Sequence, residues 1–321
     1  MDPPVTHPER IHVYPKAVSR FAVGPLAERF PHAEIVQLDD EAGFIAALPD
    51  MDYFYGLRTP HGHWGAAQNL KLIQVPGAGV DSVLPDPSLS ETVPVCSASG
   101  VHEPEMSEFV LAMLFAITKK IPTLVDRQRE RKWKLVIPPT LSGLTACVVG
   151  LGTIGQSVAR RLQALDINVN GVRRSGQPVP GVDQVVSPED RLEVLSAANI
   201  VIVITPKTPE TTGLIDVESL AAMAPGSWLI DVSRGGVVDI DAVVAALDSG
   251  QLAGAALDVF PEEPLAADSP LWEVPGLLIT PHTAGLSQNY FERTVDLLAD
   301  NIEALAKGEP LVNLVDRQRG Y

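Results

Sequence analysis

From residue 145 onward, short apolar runs alternate with stretches of helical spacing. The order is TACVVG, a helix, INVNGV, a short helix, NIVIVITP, a helix, SWLIDVS, a helix, GAALDVF and LLITPH. Such alternation leaves the chain few options. Each strand crosses a sheet one way and each helix brings the chain back, so the strands run parallel and helices cover both faces. Six strands in about 140 residues is the size of a doubly wound nucleotide-binding domain. The first hundred residues repeat the pattern. IHVY (11–14), AEIVQL (33–38), MDYFYG (51–56), LKLIQV (70–75) and VPVCSA (93–98) read as strands, with helical or turn sequence between them, and predict a second parallel α/β sheet. Between the two series lies EPEMSEFVLAMLFAITKK (103–120). Met106, Phe109, Val110, Met113, Leu114 and Ile117 share one helical face, but Leu111, Ala112, Phe115 and Ala116 make the other side apolar too. A helix greasy all round must be covered on more than one side, by another domain or another subunit. Pro122 bends or restarts it, and RQRERKWK (127–134) returns to water.

GLGTIG (150–155) follows the strand TACVV and opens a helix whose Ile154, Val158, Leu162 and Leu165 share a face. In that setting the glycines have separate tasks. Gly150 permits the tight turn, Gly152 lets the backbone approach a pyrophosphate, and Gly155 lets helix pack closely on strand. The helix N-terminus supplies unpaired N–H groups to phosphate. The next strand ends in NGVRRSG (170–176), where a dinucleotide fold often carries an acid for the adenosine ribose. Arg173 and Arg174 reverse that logic. A guanidinium fork suits a 2′-phosphate, and Ser175 adds a hydroxyl, so NADP(H) is expected over NAD(H), with NAD(H) still possible.

Three later segments begin at strand ends, where open α/β sheets place ligands: DVSRGGVVD (231–239), LDVFPEEPL (257–265) and TPHTAG (280–285). Arg234 has two glycines beside it and suits a carboxylate or a ketone oxygen that gains charge. His282 suits proton transfer to that oxygen. Glu263 would fix the imidazole tautomer and favour its protonated form, with Glu262 as the competing neighbour.

Together GLGTIG, TPKTPETTGLI (205–215), SRGGVVD, ALDVFPEEPL and PHTAG resemble the D-isomer-specific 2-hydroxyacid dehydrogenases along nearly the whole chain. The arginine turn with GAGVDSV looks most like the glyoxylate/hydroxypyruvate reductase branch. The resemblance implies two doubly wound parallel-sheet domains. A Rossmann cofactor domain (100–285) is inserted into a flavodoxin-like substrate domain (1–99 and 286–321). It implies Arg234, Glu263 and His282 as catalytic residues, and Ala78, Gly79 and Val80, within LKLIQVPGAGVDSV, as backbone donors to the substrate carboxylate beside Arg234 and His282. It assigns the cofactor to Gly150, Gly152, Thr153, Ile154, Gly155, Arg173, Arg174, Ser175, Thr205, Pro206, Ser233, Asp258, His282 and Gly285, with Asp258 on the nicotinamide carboxamide. Asp231 stands where asparagine is frequent. The activity implied is reduction of small 2-oxo acids to D-2-hydroxy acids by NADPH. The alternatives are an NAD-dependent D-2-hydroxy acid dehydrogenase and, in another class, a dinucleotide-sensing protein like the C-terminal-binding corepressors. A homodimer through the cofactor domain is implied as well.

Composition narrows the partners. A formal net charge of −16 over 321 residues argues against nucleic acid, which needs a basic surface. Aliphatic runs such as IVIVI (200–204) are too short to span a membrane, and the start MDPPVTHPER lacks a secretory layout. Cys96 and Cys147, both in apolar strand-like segments, read as buried thiols, and a cytoplasmic location is expected. His61-x-His63 has no further ligands near it, so no metal is expected. Tyr55, Leu57 and Trp64 read as packing residues beside the substrate loop, while His102 and Met106 open the cofactor domain.

Overall fold

The computed structural model describes residues 10–317 and Gly320. The chain divides into two units. One takes the stretch through His102 and the stretch from Ser287 onward; the other is Glu103–Leu286.

The first unit holds a five-stranded parallel sheet: β1 (Arg10–Tyr14), β2 (Glu34–Gln37), β3 (Tyr53–Gly56), β4 (Leu72–Gln74) and β5 (Val95–Cys96), in the order β2-β1-β3-β4-β5. This is the flavodoxin-like order. Helix α1 (Lys16–Arg29) joins β1 to β2. Helix α2 (Glu41–Ala47) starts at Asp40, whose carboxylate accepts from the Gly43 N–H at 2.8 Å. The links from β3 to β4 and from β4 to β5 carry turns and one 3-10 turn (Trp64–Ala66) instead of α-helices. Trp64 is 2% exposed and meets Phe44 and Phe54 edge-on, at 5.1 and 5.3 Å between ring centroids. Trp64 and Tyr55 are therefore core residues, as their apolar bulk suggests.

The second unit begins with α3 (Glu103–Thr118) and α4 (Ile121–Arg129). Lys120, at φ 56°, breaks the chain between them, and Pro122 sits in the first turn of α4, where its missing N–H costs nothing. There follow β6 (Thr145–Val149), α5 (Thr153–Gln163), β7 (Asn168–Val172), β8 (Gln184–Val186), α6 (Arg191–Leu195) and β9 (Ile200–Val203). Then come α7 (Val217–Ala222), β10 (Ser227–Asp231), α8 (Ile240–Ser249), β11 (Leu252–Leu257) and β12 (Leu277–Ile279). The strands form one parallel sheet in the order β12-β11-β10-β9-β6-β7-β8. The sheet has seven strands, not the expected six. The extra one, β8, is three residues long, too short to carry a pattern of its own. Alternate residues of each strand feed opposite faces. Ile200 and Ile202 join the core under α3 and α5, while Val201 and Val203 join the core under α7 and α8.

Helix α3 buries Val110, Met113, Leu114 and Ile117 in the first of those cores. Its other side is only half covered within the chain: Phe109, Leu111 and Phe115 are half-buried and Ala112 is exposed. The closing helix α9 (Tyr290–Lys307) returns to the first unit, where Val295, Leu298 and Ile302 pack on Val18, Ala22 and Leu26 of α1. Cys96 and Cys147 are unbridged, and burial pushes each thiol up to about 12, so neither offers a thiolate at neutral pH. Among the described residues no helix is long and apolar enough to cross a membrane.

Candidate active site

In the second sheet the chain runs outward from β6 to β8 on one side, then restarts at β9 and runs the other way. The loops after β6 and β9 therefore diverge, and that divergence makes the ligand crevice of such sheets. The glycine turn sits there. Gly150 has φ 107°, and a Cβ on it would lie 2.3 Å from the Ile204 carbonyl oxygen. A Cβ on Gly155 would lie 1.8 Å from the Gly150 oxygen, so helix and turn touch backbone to backbone. Gly152 has nothing within 4 Å of where its Cβ would be. It faces open space and, with Thr153, is exposed at the N-terminus of α5. The Gly150 N–H donates to the Val172 oxygen at 2.9 Å, which ties the turn to the end of β7.

Arg173 is the next residue. It is half-buried and its carbonyl accepts from the Gly176 N–H at 2.8 Å, which curls Arg174 and Ser175 into an exposed turn. Asp183, the nearest acid downstream, is committed to the Val169 N–H at 3.0 Å. The Glu210 carboxylate, fully exposed, is held low by the Thr208 hydroxyl, its own N–H and the charge of Arg174. Across the divergence Thr205 presents a hydroxyl that is buried and has no hydrogen-bond partner among the described residues. Pro206 beside it is exposed, and Ile154 is half-buried on α5. An open glycine, a turn that admits no Cβ and an orphaned hydroxyl at one strand end fit a dinucleotide.

The other side of the crevice is built from β10, β11 and β12. After β10, Ser233 donates its N–H and its hydroxyl to Asp231 Oδ1, at 2.9 and 2.5 Å. Arg234 follows, half-buried, with Nη1 donating to the Ser233 oxygen at 2.8 Å. A Cβ on Gly235 would lie 2.0 Å from the Phe260 oxygen, so this turn lies against the chain leaving β11. After β11, Asp258 accepts from Thr280 Oγ1 at 2.6 Å and from the N–H groups of Thr283 and Ala284 at 3.0 and 2.9 Å. Its carbonyl accepts from the His282 N–H at 2.8 Å. Asp258 thus shapes the loop that carries His282 and leads to Gly285, an assignment the sequence pattern did not suggest.

His282 Nδ1 lies 2.7 Å from Glu263 Oε2, and Glu263 Oε1 accepts from the Phe260 N–H at 3.0 Å. Both carboxylate oxygens are occupied, so Glu263 is fixed in place. Glu262 is exposed, and the choice between the neighbours falls on Glu263. With Nδ1 on the carboxylate, Nε2 is the nitrogen left to exchange a proton with a ligand.

Residues 111–284 match the model of the NAD-binding domain of D-isomer specific 2-hydroxyacid dehydrogenases. The chain belongs to that family. This dehydrogenase is also 32% identical, over 84% of its length and 88% of the relative's, to glyoxylate/hydroxypyruvate reductase A of Serratia proteamaculans. Its fold superposes on a D-isomer specific 2-hydroxyacid dehydrogenase from Xanthobacter autotrophicus, determined with NADPH and MES. The TM-score is 0.86 at 34% identity, covering 98% of this chain and 99% of the other. It also superposes on an NADPH-dependent glyoxylate/hydroxypyruvate reductase from Sinorhizobium meliloti, determined with NADP and sulfate. There the TM-score is 0.87 at 28% identity, covering 98% and 100%.

The remaining expected site residues of the dehydrogenase, Ala78, Gly79 and Val80, lie in the first unit, in the turn after β4. The Ala98 N–H donates to the Gly77 oxygen at 2.8 Å and the Tyr290 hydroxyl to the Pro76 oxygen at 2.7 Å, which hold the start of that turn. His102 stacks on Tyr290 at 4.9 Å between centroids. His61 Nδ1 lies 3.7 Å from Asp86, and no group of three potential metal ligands occurs among the described residues.

Proposed function

We propose that this dehydrogenase is an NADPH-dependent reductase of small 2-oxo acids of the glyoxylate and hydroxypyruvate type. The observation that carries the reading is the Glu263–His282 pair at 2.7 Å in the same unit as the Arg234 turn and the glycine turn. NADPH would be held by Gly150, Gly152, Thr153, Ile154 and Gly155 at the pyrophosphate, by Thr205, Pro206, Ser233, Asp258 and Gly285 along the crevice, and by Arg173, Arg174 and Ser175 at the 2′-phosphate. Bound there, it supplies the hydride that converts the C2 ketone to an alcohol. His282 donates the proton from Nε2 to the ketone oxygen, and Glu263 holds the ring in the orientation and tautomer that allow this. Arg234 places positive charge where the oxygen gains negative charge. The N–H groups of Ala78, Gly79 and Val80 take the substrate carboxylate. The relatives determined with NADPH or NADP support the same cofactor. The test is turnover of glyoxylate and hydroxypyruvate with NADPH against NADH. NADPH is expected to be preferred in kcat/KM, and Arg173→Asp to move the ratio toward NADH. Equal use of both cofactors removes the 2′-phosphate reading. Tight cofactor binding without turnover supports a sensor instead.

The same unit offers an apolar surface that suits a second copy of the chain. Beyond α3, Ile121, Leu124 and Val125 are 45%, 39% and 37% exposed, and Trp133, Leu135 and Ile137 are 99%, 83% and 96% exposed. So many large apolar side chains on one short stretch suit an interface rather than water. Together with the half-covered side of α3, they support a homodimer through the cofactor-binding unit.

A further inference from the structure

Helix α9 buries three polar side chains against the first sheet: Tyr290, Thr294 and Asn301. Each is bonded to a different part of that sheet. Asn301 Nδ2 donates to Gln74 Oε1 at 2.9 Å, at the end of β4. Thr294 Oγ1 lies 2.6 Å from the Tyr55 hydroxyl of β3. The Tyr290 hydroxyl donates to the Pro76 oxygen at 2.7 Å, in the turn that follows β4. The phenol ring is itself held. It stacks on His102 with the planes 26° apart and meets Phe291 edge-on, at 4.7 Å between centroids.

The turn that Tyr290 reaches is closed at both ends by backbone bonds. The Ala98 N–H donates to the Gly77 oxygen at 2.8 Å, and the N–H groups of Val83 and Leu84 donate to the Val80 oxygen at 2.9 and 2.8 Å. Between these ties the N–H groups of Gly77, Ala78, Gly79 and Val80 have no acceptor among the described residues. Four successive N–H groups without acceptors, in residues that are buried or half-buried, call for a ligand that accepts from them. Their direction follows from the carbonyls. In a trans peptide unit the C=O and the N–H point opposite ways. Both units here are trans. The Pro76 carbonyl is drawn to Tyr290 and the Gly77 carbonyl to Ala98, so the N–H groups of Gly77 and Ala78 are turned away from those partners.

We propose that Tyr290 is a positioning residue for substrate: its hydroxyl fixes the first peptide unit of the turn and so aims the N–H groups that follow at the substrate carboxylate. This rests on the reading of Ala78, Gly79 and Val80 given above. Without that bond the Pro76 carbonyl is free to rotate, and the donors lose their common direction. The Tyr55–Thr294 bond is the natural control. It joins the same helix to the same sheet through another buried tyrosine hydroxyl, but it does not touch the turn.

The test uses the full-length protein with NADP bound and oxalate as the probe, a planar carboxylate that needs no turnover. Hydrogen exchange of the wild type comes first and needs no variant. Oxalate is expected to protect the amides of residues 77–80, and protection confined to other segments overturns the proposal. Calorimetric titration of Tyr290→Phe, which removes one oxygen and keeps the ring, comes second. The Kd for oxalate is expected to rise about fivefold, the worth of one neutral hydrogen bond. In Tyr55→Phe it is expected to stay at the wild-type value. An unmoved Kd in Tyr290→Phe, or an equal rise in Tyr55→Phe, overturns the proposal, the second because general loosening of the helix would then account for it. Steady-state kinetics with glyoxylate and NADPH come third. In Tyr290→Phe, KM is expected to rise with kcat unchanged, the pattern of lost ground-state binding. A fall in kcat with KM unchanged overturns the role. Absence of wild-type turnover on any 2-oxo acid overturns the reductase reading, and the two oxalate measurements then decide the role of Tyr290 by themselves.

Discussion

His282 has φ 50°, a left-handed backbone that costs a non-glycine residue about 1–2 kcal/mol. The surroundings fix it there: its N–H donates to Asp258 and its ring meets Glu263. Strain held this way at a strand end accompanies a demand on side-chain direction. Replacing His282 with alanine should lower kcat for 2-oxo acid reduction by about 10²–10⁴, the range for a lost general acid. Replacing Arg234 with alanine should cost about 10²–10³, the range for one lost oxyanion donor. Steady-state kinetics check both; rates near wild type in either variant remove that residue from the mechanism. The strand-end positions of Arg234, Glu263 and His282 were legible in the sequence, because each stands a few residues past an apolar strand. Spacing alone left Glu262 as a competitor and the resemblance pointed to Glu263; the Phe260 N–H and the imidazole are what hold Glu263 in the structure. The bonds from Thr280, Thr283 and Ala284 to Asp258 were not legible, because pairings across loops leave no mark on spacing.

At the scale of elements, the strand–turn–helix around Gly150 was readable from its glycines, and the structure adds what each glycine excludes. A methyl group at position 155 would sit inside van der Waals contact with the Gly150 carbonyl. Gly155→Ala should therefore push α5 away from β6 and cost about 1–3 kcal/mol, measured by urea unfolding, with weaker NADPH binding measured by fluorescence. Unchanged stability and binding would show that the turn can yield. Strand β8 was missed because QVV, at 184–186, is too short for a period of two to show, whereas β9 announces itself as IVIVI. A second element-scale prediction concerns the loops around Asp86. Burial pushes this carboxyl up, but the Ser88 hydroxyl, the N–H groups of Gly62 and Ser88, and His61 outweigh it and hold it below the ordinary range. A carboxyl lowered by folding stabilises above its unfolded value and loses that contribution as pH falls through its folded value. Asp86→Ala should cost about 1–3 kcal/mol at pH 7, and the cost should shrink as pH drops below about 4. Equal costs at pH 7 and pH 3 in urea melts would contradict this.

For the whole molecule, the two alternating series were enough to foresee two parallel sheets, the family resemblance named their fold types, and the structure supplies the strand orders. The apolar stretch beyond α3 sets the expectation for assembly. Sedimentation of the wild type should give a dimer, and the double variant Trp133→Glu, Ile137→Glu should give a monomer of retained fold. A wild-type monomer would refute the interface. The glycine turn, the guanidinium and the glutamate–imidazole pair all belong to one uninterrupted length of chain, Glu103–Leu286, whereas the Ala78–Val80 turn depends on two separated lengths. In evolutionary terms that uninterrupted length of chain is a cassette. Recombination at its two ends can pass it on entire, while the flanking unit would have to be inherited as two pieces.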